Sequence, residues 1–336
     1  MPSLKDYNYH LPSELIAQRP LTRRDEARML VINRRDQSII HSTFKHLPDY
    51  LPQNCLIVRN NSKVIPARFL GHRKGTGGKI EVFLLKQAED SSTFEVLIKP
   101  LKRLKNGDVI TFKGGLETTV IDREKRIVRF NRKNILSLAE QLGVIPLPPY
   151  IERPSDAHDR KYYQTVYAKH HGSVASPTAG LHFTNRMIQS MEKRGHIFAD
   201  VTLHINYGTF KPVEAEDITE HHMHAESYTV KPSVYKRVLR AREQGKSVVA
   251  VGTTSCRVLE TLAKTQKTTG ETNLFIYEGY SFKLVDILIT NFHLPMSTLL
   301  MLVYAFGGKA LMQKAYQEAI DHQYRFYSYG DGMVIV

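Results

Sequence analysis

Between Cys55 and Phe130, apolar and polar residues alternate in short runs: CLIVRN, VIPARFLG, GKIEVFLL, TFEVLIK, DVITFK, ETTVI and RIVRF. The turn signals GTGG, KNGD and KGG separate them. Short strands at such close spacing predict a small barrel or sandwich. NILSLAEQLG then reads as a helix, and IPLPPYIERP, with prolines at 146, 148, 149 and 154, as an extended connector.

After the connector the period changes. FADVTLHI, KSVVAVG, LFIYEGY and VDILIT read as strands, while YKRVLRAREQG, CRVLETLAK, STLLMLVYAF and ALMQKAYQEAIDHQ read as helices. RFYSYGDGMVIV reads as a last pair of strands around a Gly-Asp-Gly turn. This alternation predicts an α/β fold with a mixed, partly parallel sheet. The first fifty or so residues contain one hairpin, ARMLVINRRDQSIIHSTF, and are expected to pack on that later sheet. The predicted organisation is a discontinuous α/β domain over residues 1–58 and 152–336, with a small β-barrel domain inserted at 59–151. No internal repeat is visible.

Length and composition fit this picture: 336 residues, 42% hydrophobic and 24% charged, suffice for two cores. The longest apolar stretch, Met296 to Phe306, is too short to cross a bilayer, and the N-terminus lacks a basic region followed by an apolar run. A cytoplasmic protein without membrane attachment is expected, with Cys55 and Cys256 as free thiols. The net charge of +14 changes the picture more, because a neutral small substrate does not call for it and a polyanion does. Cations gather at Lys99, Lys102, Arg103 and Lys105, at Arg23 and Arg24, and at Arg129 to Lys133. Lys63 and Arg68, in RNNSKVIPARFLG, are further candidate contacts, although such clusters also occur as solvated faces.

Four segments carry candidate chemistry. GSVASPTAGLHFT (Gly172–Thr184) is too polar and too broken by Gly and Pro for a strand, and Thr184 is placed to cap the helix NRMIQSMEKRG. It reads either as an ordinary capped loop or as a loop presenting a helix N-terminus to an anionic or polar ligand. In VVAVGTTSCRVLE a buried strand ends at Gly252 and exposes Thr253, Thr254 and Ser255 at a helix start, a setting that suits a carboxylate or phosphate. Arg257 either joins that anion or pairs with Glu260. Neither GxxxxGK[ST] nor GxGxxG is present. TNFHLPMSTLLMLVYAF places Asn291 and His293 at a strand's carboxyl end, where His293 either meets a ligand or bonds within its own turn. LHINYGTFKPV and EHHMHAE supply His204, His221, His222, His224 and Glu226, whose spacing matches no standard metal site, and no metal is expected there.

Taken together, PLPPYI, YQTVYA, GSVASPTAGLHFT, VTLHINYGTFKPV, HHMHAE, VAVGTTSCRVLE, TNFHLPMSTLLMLVYAF and YRFYSYGDGMVIV occur in one order. The chain closely resembles the S-adenosylmethionine:tRNA ribosyltransferase-isomerases of queuosine biosynthesis from YNYHLPSELIAQRP to Val336. Departures are few: Asn206 stands where the family usually has Gly, Glu278 where Pro is usual, Ala27 where a small polar residue is usual, and Ser176 where Ala is common. Asn206 would alter its loop if that position requires a positive φ.

The resemblance implies transfer of the ribosyl portion of S-adenosylmethionine to 7-aminomethyl-7-deazaguanine at the tRNA wobble position. The sugar rearranges to give epoxyqueuosine, with adenine and methionine released. S-adenosylmethionine is then a co-substrate, no cofactor is implied, and a monomer is expected. That chemistry needs a base beside the sulfonium, an acid for adenine departure and a neutral attacking amine. His182, His204, His221, His224 and His293 are the acid and base candidates, and Glu226 is placed to pair with a histidine or the amine. Thr253, Thr254, Ser255 and Arg257 are expected to hold the methionine carboxylate, Pro177, Thr178, Ala179 and Gly180 to line the adenosine, and Asn291 to join them. Lys63, Arg68, Lys99, Lys102, Arg103 and Lys105 are the expected tRNA contacts. Two rivals compete: a non-catalytic RNA-binding protein, and a metal-dependent hydrolase built on EHHMHAE.

Overall fold

The computed structural model describes residues 3–88, 90–206, 213 and 215–336. Most of LHINYGTFKPV, residues 207–212, lies outside them. The predicted hairpin is β1 (Arg28–Ile32) and β2 (Ile39–Thr43), with Ile32 opposite Ile39. Next come β3 (Leu56–Asn60) and the short β4 (Ser62–Val64). Six strands follow: β5 (Arg68–Arg73), β6 (Lys79–Gln87), β7 (Thr93–Lys99), β8 (Val109–Thr111), β9 (Glu117–Asp122) and β10 (Ile127–Phe130). They close into a barrel in the order β10-β7-β6-β5-β8-β9. Period-two alternation turns Phe69, Val82, Phe94, Val96, Ile110 and Val120 inward to a core separate from that of the main sheet. Helix α1 (Ile135–Leu142) packs on that core through Ile135 and Ala139.

The connector leads to α2 (Ala157–Tyr162), whose first N–H groups donate to the Asp156 carboxylate. β11 (His170–Ser173) pairs in parallel with β4. The remaining elements are α3 (Asn185–Lys193), β12 (Ile197–Leu203), β13 (Glu226–Val230), α4 (Pro232–Glu243), β14 (Val248–Val251), α5 (Thr253–Thr265), β15 (Thr269–Thr272), β16 (Ile287–Asn291), α6 (Thr298–Gly307), α7 (Lys309–Asp321) and β17 (Gly332–Ile335). Nine strands form one mixed sheet in the order β15-β13-β12-β3-β14-β16-β17-β1-β2. β12, β3, β14 and β16 run parallel at its centre, and β14 and β16 are buried throughout. The N-terminal hairpin joins this sheet through β1 and β17, as its lack of a core required.

Three local readings are corrected. CLIVRN, grouped with the barrel strands by pattern, is β3 of the main sheet, so the expected boundary at 58/59 falls inside a strand that runs to Asn60. LFIYEGY is irregular, and the edge strand is the polar TGET before it. Its alternation reflects a loop whose Leu274, Phe275 and Tyr277 pack on the main core. Of the final pair only β17 forms in the sheet, while Phe326 makes an isolated bridge to Ile16. Among the described residues no helix is long and apolar enough to cross a membrane, and both cysteines are free and buried.

Candidate active site

β14 and β16 are adjacent and parallel, and the chain leaves both at the same edge of the sheet. Gly252, after β14, has φ +86, a conformation that L side chains rarely adopt, and lets α5 start at once. A cavity opens there between Gly252–Thr254, Thr290–Leu294, Ser176–Ala179, Pro149–Tyr150 and Tyr327–Ser328. This is the crevice at strand carboxyl ends where open α/β sheets bind ligands.

The predicted residues divide sharply. Pro177, Thr178, Ala179, Thr253, Thr254, Arg257, Asn291, His293 and Glu226 line the cavity. Ser255 does not: its hydroxyl is buried and donates back to the carbonyl of Val251, the last residue of β14, at 2.7 Å. Gly180 also lies outside the lining, and its role is steric, since a Cβ there would stand 2.0 Å from Tyr167 Oη. The loop forms the predicted cap, with Thr184 Oγ1 accepting from Met187 N at 3.1 Å.

Arg257 does not pair with Glu260. Its Nη1 pairs with Glu226 Oε2 while Nε and Nη2 donate to the carbonyls of Leu274 and Thr272, leaving the guanidinium committed within the chain. Glu260 instead accepts from the backbone N–H groups of Lys283, Leu284 and Val285 and from Tyr280. Glu226 Oε1 takes the Asn206 N–H at 3.1 Å. Asn206 is not in the left-handed region, so replacement of the usual Gly costs no backbone strain.

The five histidines do not converge. His293 alone among them lines the cavity, with Nε2 2.8 Å from Thr290 Oγ1, and burial lowers its pKa to about 3. His182 stands behind, stacked on Phe44 with ring centroids 3.9 Å apart. Burial, then the charges of Arg24 and Arg325, lowers its pKa to about 3 as well. Asn291 Nδ2 donates to the Asp331 carbonyl at 3.3 Å and faces His182 Nε2 at 3.1 Å, which fixes the amide orientation and makes that nitrogen an acceptor. Asn291 Oδ1 accepts from Thr178 Oγ1 at 2.9 Å. His204 and His224 lie instead in a second, larger cleft between barrel and sheet, with Lys86, Glu95, Arg126 and Glu271. His204 Nδ1 is buried without a hydrogen-bond partner, and burial lowers its pKa. His221 packs edge-on against Phe275, 5.4 Å between centroids.

Sequence reasoning missed the aromatic wall. Tyr150, Tyr163, Phe292 and Tyr327 line the cavity, and burial pushes Tyr150 up to about 12. Their signal was present in PLPPYI, RKYYQ and FYSYG but carried no spacing rule. One hydroxyl there, Ser176 Oγ, is buried and makes no hydrogen bond among the described residues. Orphaned polar atoms in a cavity wall are where a ligand's polar groups belong. Of the expected tRNA contacts, Lys102, Arg103 and Lys105 are exposed on the barrel. Lys63 Nζ lies 3.3 Å from His171 Nε2, and Arg68 is paired with Glu81 at 3.3 Å.

The fold and cavity together define an α/β protein with a cavity at its sheet edge, walled largely by apolar surface and carrying a few fixed polar groups. A family model described as queuosine biosynthesis protein matches residues 4–335. The S-adenosylmethionine:tRNA ribosyltransferase-isomerase of Sulfurihydrogenibium sp. (strain YO3AOP1) is 49% identical, covering 99% of both chains. That of Natranaerobius thermophilus is 47% identical, again covering 99% of each. The crystal structure of the S-adenosylmethionine tRNA ribosyltransferase from Thermotoga maritima aligns with TM-score 0.58 at 35% identity, over 98% of this chain and 100% of that one. The chain belongs to the queuosine biosynthesis protein family and is an enzyme, a transferase.

Proposed function

We propose that the cavity binds S-adenosylmethionine and that the enzyme transfers and isomerises its ribosyl moiety onto 7-aminomethyl-7-deazaguanine at the wobble position of tRNA. Epoxyqueuosine forms, and adenine and methionine leave. The observation that carries this reading is the cavity itself: enclosed by aromatic rings, with the orphaned Ser176 hydroxyl and His293, in a chain that aligns end to end with the named relatives.

An aromatic wall without a free cation suits a sulfonium, which π faces attract. His293 is the proposed base. Burial keeps its imidazole neutral, so it offers a lone pair rather than a charge that would repel the sulfonium. His182 is reassigned from proton transfer to positioning, because its acceptor nitrogen is spent on Asn291, which in turn orients Thr178. With Arg257 held by Glu226, the methionine carboxylate falls to the N–H groups and hydroxyls of Thr253 and Thr254 at the start of α5. His204 and His224 are proposed to face the tRNA nucleoside from the second cleft, and Lys99, Lys102, Arg103 and Lys105 to meet its phosphates. The barrel is proposed as an inserted RNA-gripping domain.

The test incubates the enzyme with S-adenosylmethionine and tRNA bearing the aminomethyl deazaguanine. Adenine, methionine and epoxyqueuosine are expected together. Adenine release at the same rate without the modified tRNA would overturn the reading.

A further inference from the structure

EHHMHAE, the histidine-rich segment of the sequence, is not where the fold gathers metal-binding groups. Among the described residues, one group of His, Cys, Asp or Glu side chains brings three ligand atoms within 4.8 Å of one another: His41, Glu318 and His322. His41 stands on the edge strand β2, Glu318 is four residues before His322, and that spacing puts both on one face at the end of α7.

Both separations from the carboxylate oxygen are close to those of a coordination shell, and the third pair of ligand atoms lies within 4.8 Å. His41 Nε2 lies 3.1 Å from Glu318 Oε1, and His322 Nδ1 lies 3.3 Å from the same oxygen. Ligands about 2.0–2.1 Å from a tetrahedral zinc ion stand about 3.3 Å apart. The two imidazole rings are 4.4 Å apart, tilted by 45°.

A further hydrogen bond sets the ring. His41 Nδ1 bonds Tyr324 Oη at 2.9 Å, which turns Nε2 toward Glu318 as outer-shell partners do in metal sites. Tyr324 is buried and held from its other side by Arg28, 4.2 Å above its ring, whose charge Asp331 offsets. His322 Nδ1 also bonds the Glu318 carbonyl at 3.0 Å, an interaction that ligation would replace. All three ligand side chains are at least a third exposed, so an ion has access.

We propose that His41, Glu318 and His322 bind one divalent late transition ion, with zinc as the fitting case, and that the ion clamps edge strand β2 to α7. Two imidazoles and a carboxylate, with water in the fourth position, form a donor set that zinc accepts. Strands β17 and β1 separate β2 from β16, so the clamp is independent of the S-adenosylmethionine cavity.

The test is calorimetric titration of the whole, metal-stripped chain with ZnCl₂, paired with thermal melts. One equivalent is expected to bind and to raise the melting temperature. His41→Ala, His322→Ala and Glu318→Gln should each weaken binding at least tenfold and abolish the shift, with the metal-free melt near that of the parent. Tyr324→Phe should keep the stoichiometry and lower affinity about tenfold, the cost of removing an outer-shell partner. A double His222→Ala/His224→Ala variant should bind as the parent does. The proposal falls if no zinc binds, if His41→Ala and His322→Ala bind as tightly as the parent, or if the His222/His224 variant is the one that loses the ion.

Discussion

The cavity at the sheet edge and the cleft beside the barrel differ in what they leave unpaired. The cavity is walled by Tyr150, Tyr163, Phe292 and Tyr327, and its Arg257 is paired with Glu226. The cleft carries Lys86, Arg126, Glu95 and Glu271 with the exposed His224. A desolvated, preorganised wall recognises a small molecule by shape and a few hydrogen bonds. An open, charged one suits a large polar partner whose contacts stay wet. On this reading the two halves of the reaction enter from different environments.

The comparison breaks most directly at His293. His293→Ala should lower kcat with S-adenosylmethionine and modified tRNA by about 10²–10⁴-fold, the range for a lost proton-transfer group, while His221→Ala should leave it within a few-fold. Equal losses would dissolve the distinction between cavity and periphery.

Arg257 tests whether the cavity's charge is structural. Arg257→Met removes the guanidinium from beside the buried Glu226 carboxylate and should cost about 3–5 kcal/mol in denaturant unfolding. An unchanged midpoint with a sharply raised KM for S-adenosylmethionine would return Arg257 to ligand binding.

On the barrel, reversing Lys102, Arg103 and Lys105 to Glu should flatten the log–log salt dependence of tRNA binding by roughly 0.7–0.9 for each phosphate no longer neutralised. The KM for S-adenosylmethionine should not move. A slope equal to the parent's would place the tRNA elsewhere.

Burial also predicts acid lability. His182 and His293 have folded pKa values lowered to about 3, below the unfolded value near 6.5, so protonation favours unfolding. Their contribution is complete above pH 6.5 and is lost as pH falls toward 3, at up to about 1.4 kcal/mol per pH unit for each. Unfolding free energies measured across that window should be less steep in His182→Asn than in the parent.

The smallest expected effect is the most discriminating. Ser176→Ala removes a buried hydroxyl that has no hydrogen-bond partner among the described residues. The free protein should be no less stable, while the KM for S-adenosylmethionine should rise roughly five-fold for about 1 kcal/mol of lost hydrogen bonding. A destabilised protein with unchanged KM would mean that Ser176 serves the fold.

Much of this was legible in sequence because it is local. The barrel strands, the Thr184 cap and the Gly252 strand-to-helix turn follow from alternation, capping and glycine, each written within a few residues. What failed was non-local. Arg257 looked toward Glu260 by helical spacing, but its partner lies 31 residues away on β13. CLIVRN read like its neighbours in sequence, and only sheet topology separates it from them. The histidines of EHHMHAE cluster along the chain, yet it is His41 and His322, far apart in sequence, that meet with Glu318 in space. Proximity in sequence predicts shared chemistry only where the backbone between the residues is regular.

One strand pairing bears on how the molecule is made. β17 lies between β16 and β1, so residues 332–335 bridge the N-terminal hairpin to the rest of the sheet. While the chain is being synthesised, β1 has no neighbour on that side until those residues emerge, some 300 positions later. The barrel, whose strand pairings all fall within residues 68–130, can close long before. The nascent protein therefore carries a finished barrel on an unclosed sheet, and the terminal strand acts as the latch of its assembly.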